Sequence, residues 1–149
     1  MARFRFRLEQ VLKHRIMEEN KAKEELALAR IKQQKVVDAL EAARQMLQQS
    51  LNAVGETGRL DLQQSLNVVF FREQLNTKIL NLQGNLKKAS KAVDEKQKKL
   101  VLARQKTMML EKLKEKKREE FTYQDTLEEQ KLIDEMALAM FMRSKDDTL

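Results

Sequence analysis

The residues able to do chemistry in this chain are few in kind. Thirty lysines and arginines stand against 23 carboxylates, with one histidine and no cysteine in 149 residues. The lack of cysteine removes disulfides and thiolate zinc sites, and it suits a reducing compartment. His14 has no clustered set of ligand-type side chains beside it, so a metal site is not expected. No activated nucleophile, no constellation of paired carboxylates and no Gly-rich phosphate loop stands out. The expectation is a protein that is not an enzyme, with no cofactor and no catalytic residue.

What remains is positive charge interleaved with aromatic and apolar side chains. The stretch Arg3-Phe4-Arg5-Phe6-Arg7-Leu8 alternates the two. Such a pattern can grip a nucleic acid by charge and stacking, or lie on a membrane surface. Read plainly, Phe4 and Leu8 begin an apolar helix seam while the arginines face water. A second basic group, which includes Lys96, Arg104, Lys112, Lys114, Lys116, Lys117 and Arg118, gives residues 96–118 ten basic and two acidic side chains. Residues 119–149 carry three and nine, so a block of +8 is followed by one of −6. Nucleic-acid binding is the generic inference from such a block. A basic zipper, however, places its basic region before a parallel seam, and here the block follows the seam. A solvated face is the other reading.

Two further stretches suggest docking. Phe70 and Phe71 are adjacent, and successive helical side chains point about 100° apart, so at least one should be exposed. The alternative is a swollen hydrophobic tip packed through Leu60 and Leu62. The stretch Met136-Ala137-Leu138-Ala139-Met140-Phe141-Met142 suits an adaptable surface, or simply the last turns of an amphipathic helix.

The elements that must position these residues are helical. Proline is absent, and two of the three glycines fall within Gly55–Asp61. Lys, Glu, Gln, Leu, Arg and Ala dominate, the make-up of long helices and coiled coils. A 3-4 spacing runs from Leu8 through Leu12, Ala22, Leu26, Leu40, Ala43 and Leu47, with Gln33 and Ser50 as polar seam positions that fix register. A second seam runs from Val68 through Leu75, Ile79, Leu82, Val93, Leu100 and Thr107 to Leu110. The expected architecture is one all-α domain over 1–149, an antiparallel two-helix coiled-coil hairpin with a longer second helix. Helix one spans 4–54, the turn 55–61 and helix two 62–143. Gly55 should cap the first helix, and Asp61 with Gln64 should open the second as a capping box. Gly84 is expected on the outer face. Folding about Gly58 would set Leu8 near Met108, with a stutter within 113–127 and an unpaired arm beyond about Leu113. No apolar run approaches the ~18 residues of a membrane span, and the basic start lacks the apolar core of a secretory signal. Glu9, Glu18 and Glu19 argue against a transit peptide, so a cytoplasmic protein is expected.

The opening pattern Phe4-x-Phe6-x-Leu8-x-x-Val11-Leu12, followed by Arg15 and Glu18-Glu19, resembles the FliJ family of flagellar export proteins. The likeness extends over nearly the whole chain in length, helix pattern and turn position. It implies a coiled coil similar to the stalk of the rotary ATPase gamma subunit, without the α/β domain that subunit inserts between its helices. It also implies a part in the flagellar type III export apparatus. The partners implied are a hexameric export ATPase, whose ring assembly is promoted, an export gate membrane protein and substrate chaperones. No specific nucleic acid is implied, and any membrane association is peripheral, through partners. The stretch Leu66-Asn67-Val68-Val69-Phe70-Phe71 through Leu75 resembles the family's start of helix two, with Val68 where an aromatic is common. By that resemblance Phe70, Phe71, Leu75, Lys78 and Leu82 form the gate-facing surface. Arg3, Arg5, Arg7, Lys112, Lys114, Lys116, Lys117 and Arg118 would meet the ATPase ring. The competing functional classes are a nucleic-acid-binding coiled coil, a generic scaffold and a prefoldin-like holdase. The last needs β-hairpins between its helices, which the short turn does not provide.

Overall fold

A computed structural model describes residues 2–56 and 62–147. Helix α1 spans Glu9–Glu56 and helix α2 spans Leu62–Asp147, the second nearly twice as long as the first. Both are uninterrupted because no proline removes a backbone donor or clashes with the preceding turn. Helix α1 runs on through Gly55 to Glu56. The remainder of the expected turn, with its Asp61 capping box, lies outside the described residues. The chain is all-α, as its composition requires, and packs as two compact units, one of residues 1–17 with 104–149 and one of residues 18–103.

In the unit of residues 18–103, α1 and α2 pack antiparallel along a narrow seam. Ala22, Leu26, Leu40 and Ala43 of α1 are buried, as are Leu75 and Val93 of α2. The positions that continue the 3-4 spacing, from Glu19 to Ser50 and from Val68 to Ala103, are all at least half-buried. Ala43, at 1% exposure, is the most enclosed of the buried seam residues. Polar layers interrupt the apolar ones. Gln33 Nε2 donates to Ser90 Oγ at 3.1 Å, Lys96 Nζ meets Glu25 Oε2 at 3.1 Å, and Arg72 donates to the Ser50 carbonyl at 3.1 Å. The residue numbers of these pairs sum to 123, 121 and 122. Register is therefore centred near residue 61 instead of Gly58. The polar side chains select the pairing, and the midpoint of the turn does not.

The unit of residues 1–17 and 104–149 is also an antiparallel pairing, over part of its length. Leu12 and Thr107 are buried, Thr107 Oγ1 donates to the Arg15 carbonyl at 3.2 Å, and Lys114 Nζ meets Glu9 at 2.9 Å. Leu8 accordingly lies near Leu113 and Lys114, and the expected neighbourhood of Met108 is displaced. The seam of α2 continues from Leu110 to Lys114 and Phe121, all half-buried. No stutter intervenes before Phe121, because Lys114 occupies the seam position that an apolar reading assigns to Leu113. The unpaired arm begins after Phe121, and every residue from Thr122 to Asp147 is exposed.

Gly84 lies on the outside of α2, where an added Cβ would meet nothing within 4 Å. Gly84→Ala should therefore stabilise the fold by about 1 kcal/mol through helix propensity, whereas Ala43→Leu should cost roughly 1–3 kcal/mol by overpacking. Urea unfolding of the two variants measures both signs.

The hydrogen bond and charge of Lys96 hold the Glu25 carboxyl below its ordinary 4.5. A depressed carboxylate contributes stability above its unfolded pKa and loses it as pH falls through the folded value. Glu25→Gln should thus lower the melting temperature slightly at neutral pH, and the gap to the unmodified protein should close below about pH 4. A gap that persists at pH 3 would show that the pair does not act through charge.

Candidate docking surfaces

The first surface lies in the unit of residues 1–17 and 104–149. Residues 2–6 are not helical, and α1 begins at Glu9 instead of Phe4. The Glu9 amide donates to the Phe6 carbonyl at 3.2 Å, closing the turn that starts the helix. The reason is the period of the sequence. Arginine and apolar residues alternate in steps of two, so an extended backbone sorts them onto opposite sides, whereas a helix would scatter them. Phe4, Phe6 and Leu8 are half-buried, and Arg3, Arg5 and Arg7 are exposed.

Phe4 anchors the segment. Its ring centroid lies 5.7 Å from that of Phe121 at a tilt of 52°, a geometry worth ~0.5–1.5 kcal/mol beyond area burial. The Arg118 guanidinium sits 5.8 Å over the Phe4 ring. The segment and α2 enclose an open recess floored by Leu113, Phe121 and Gln124. Phe4 is therefore already stacked within the protein, and the arginines are the part of the motif left on the surface.

The other candidate cations divide by their place on α2. Lys114 is tied to Glu9, Lys117 lies 3.4 Å from Glu120, and Arg118 lies 4.0 Å from Glu115 while it covers Phe4. Lys112 and Lys116 are exposed. Exposed ion pairs one turn apart are worth at most ~1 kcal/mol, so Lys117 and Arg118 exchange partners at small cost. Lys114, on the seam, does so at greater cost.

The second surface belongs to the unit of residues 18–103. Phe70 and Phe71 are both exposed, at 62% and 45%, where adjacency alone required only one. Leu75 is buried in the seam at 5% exposure, so its side chain supports the surface from beneath. Lys78 is exposed and Leu82 half-buried. Phe70, Gln74, Lys78 and Leu82 follow one another at four-residue spacing and line a shallow groove along α2. Leu66 and Val69 extend its apolar end and are also exposed. The signal for them in the sequence is the position of Leu66, three residues before Val69 and four before Phe70, which puts the three on adjoining parts of one helix face. The alternative of a tip packed through Leu62 finds no support, since Leu62 is 75% exposed. Leu60 lies outside the described residues.

Among the described residues, no group of three or more His, Cys, Asp or Glu side chains could hold a metal ion. No helix among them is long and apolar enough to cross a membrane. Paired helices with polar seam layers and outward-facing basic and aromatic patches define a coiled-coil protein. The family model described as flagellar FliJ protein matches residues 4–146, and the chain belongs to that family. Its part is accordingly in flagellum biogenesis and flagellar protein export. No curated protein and no solved structure matches the chain.

Phe121→Ala removes the anchor of the N-terminal segment at the last seam position of α2, where its ring partner is Phe4 and not a residue of α1. Trypsin should then cut after Arg3, Arg5 and Arg7 up to about tenfold faster, the ratio that an aromatic contact of this kind supports. The global unfolding midpoint should move little. Mass spectrometry of the early fragments and a urea titration distinguish local release from global loss.

Proposed function

We propose that this chain is a non-catalytic stalk of the flagellar export apparatus, which promotes assembly and activity of the hexameric export ATPase and links it to the export gate and substrate chaperones. The observation that carries the proposal is the unlike chemistry of its two exposed surfaces. One presents Arg3, Arg5, Arg7, Lys112 and Lys116 to solvent, and the other presents Phe70 and Phe71 beside Lys78. A cationic surface fits acidic or polar loops of a ring pore, and charge complementarity there sets encounter rate and orientation more than affinity. Exposed aromatics fit a hydrophobic pocket of a gate protein, since Phe contributes contact energy only where water can be expelled.

On this reading Lys114, Lys117 and Arg118 serve the ring surface indirectly, by holding the N-terminal segment and its arginines in place. Leu75 serves the gate surface by fixing the turn that carries Phe71. Coupling of ATP turnover to export then works through contacts, with no bond made or broken by this chain and no cofactor. The protein works in the cytoplasm and sits at the membrane's cytoplasmic face through its partners.

Mixing the protein with its cognate ATPase should raise ATP hydrolysis and ring formation. Replacing Arg3, Arg5 and Arg7 by alanine should remove most of that stimulation, while Phe70→Ala with Phe71→Ala should spare it and abolish binding to the soluble part of the gate protein. No stimulation by the unmodified chain would sink the stalk reading. Tight binding to nucleic acid that weakens steeply with salt would favour the competing class.

A further inference from the structure

The backbone of the N-terminal segment carries an unused capacity within the unit of residues 1–17 and 104–149. Burial alternates along it: Arg3, Arg5 and Arg7 are exposed, and Phe4, Phe6 and Leu8 are half-buried. That is the period of an extended strand laid with one face on α2. A strand bonds through its edges, and these edges are almost empty. Among the described residues, the one backbone–backbone hydrogen bond of residues 2–7 joins the Glu9 amide to the Phe6 carbonyl. Alternate residues of a strand present their N–H and C=O groups on the same edge. Phe4 and Phe6 therefore share the edge that Glu9 uses, and Arg3 and Arg5 share the opposite edge, which is open. An open edge is a template for a further strand.

The chemistry beside that edge specifies the occupant. Arg3, Arg5 and Arg7 recur in steps of two, and none is in an ion pair among the described residues. An added strand has the same period, so acidic side chains at alternate positions fall level with the arginines. The side chains between them turn towards α2. There the recess of about 810 Å³ offers Phe121 and Leu113, the latter 36% exposed, which suits apolar groups. A nucleic acid would need free aromatic faces for stacking, and the Phe4 ring is already engaged by Phe121 and Arg118.

We infer that the open edge of Arg3 and Arg5 is a strand-docking site for an extended acidic segment of a partner protein, in which Asp or Glu alternates with apolar residues. Antiparallel addition lets Arg3 and Arg5 each exchange a pair of N–H···O bonds with the residue opposite. The arginines set the register and reject basic strands, because like charges directly opposite are destabilising. This goes beyond the stalk role, since it fixes a binding mode and the sequence pattern that satisfies it.

Calorimetric titration of the full chain with a blocked hexapeptide of alternating glutamate and valine tests the site. No ATPase is needed, so the outcome is independent of the stalk reading. Saturable binding below about 1 mM is expected, and isotope-edited infrared spectra should show the bound peptide as a strand. The same peptide with ester linkages in place of its amides keeps every side chain and loses its donors. It should bind about tenfold more weakly. Three glutamates followed by three valines, equal in charge but wrong in period, should bind as weakly as the ester. On the chain, Arg5→Gln removes one cation and should weaken binding about two- to fivefold. Arg5→Pro also removes a donor from the open edge, while proline keeps the preceding residue extended, and should weaken binding about tenfold or more. Equal binding of the ester or of the block peptide, or no binding up to about 1 mM, would each overturn the proposal. So would binding of the chain to phosphatidylglycerol vesicles in place of the peptide.

Discussion

A polar side chain inside a narrow apolar seam is satisfied in one register only, and that constraint governs this molecule. Leucine and alanine layers look alike after a slip of one heptad. The layers of Gln33 with Ser90 and of Arg72 with Ser50 do not. A buried donor or acceptor left without its partner costs ~1–3 kcal/mol, so a slip that breaks several such layers is disfavoured cooperatively. Among the described residues no buried side-chain nitrogen or oxygen lacks a partner. The apolar positions therefore supply the drive to associate, and the polar ones choose how.

A single seam has a second consequence. Each helix has one inner stripe, so most apolar side chains beyond that stripe must face outward. Phe70, Met109 and Phe141 are 62%, 71% and 65% exposed, which is unusual for large hydrophobic residues gathered on a few faces. A globular protein hides such residues in a core, and a two-helix fold has none to offer. The family's part is in flagellar protein export, and any specificity a two-helix fold has must lie on its outside.

The seam was readable from sequence because it rests on period alone. All of the 3-4 positions from Leu8 to Ser50, and all of those from Val68 to Leu110, are at least half-buried. Register and boundaries were less readable, since both depend on side-chain chemistry across the pair. Counting from Gly58 misplaced the pairing because Glu25 must meet Lys96, a demand no single strand of sequence displays. The N-terminal segment stays outside the helix because its apolar residues recur in steps of two, a period that the 3-4 spacing of Phe4 and Leu8 taken alone does not show. The outward Phe70 and Phe71 were half legible: adjacency shows that both cannot enter one seam, and only packing shows that neither does.

The basic block shows how period can outrank composition. Lys112, Lys114 and Lys116 are consecutive alternate residues of the same type, and by composition they are equivalent. Lys114 lies seven residues from both Thr107 and Phe121, the spacing of one full heptad, and so it falls on the seam and closes on Glu9. Lys112 and Lys116 are each two residues away, about 200° around the helix, and so they face solvent. One lysine is thereby committed to holding the N-terminal segment against α2, and its neighbours are committed to the surface. A net charge of +8 over residues 96–118 is thus not a measure of how much charge the protein presents. The presented charge is what remains after the heptad has taken its share.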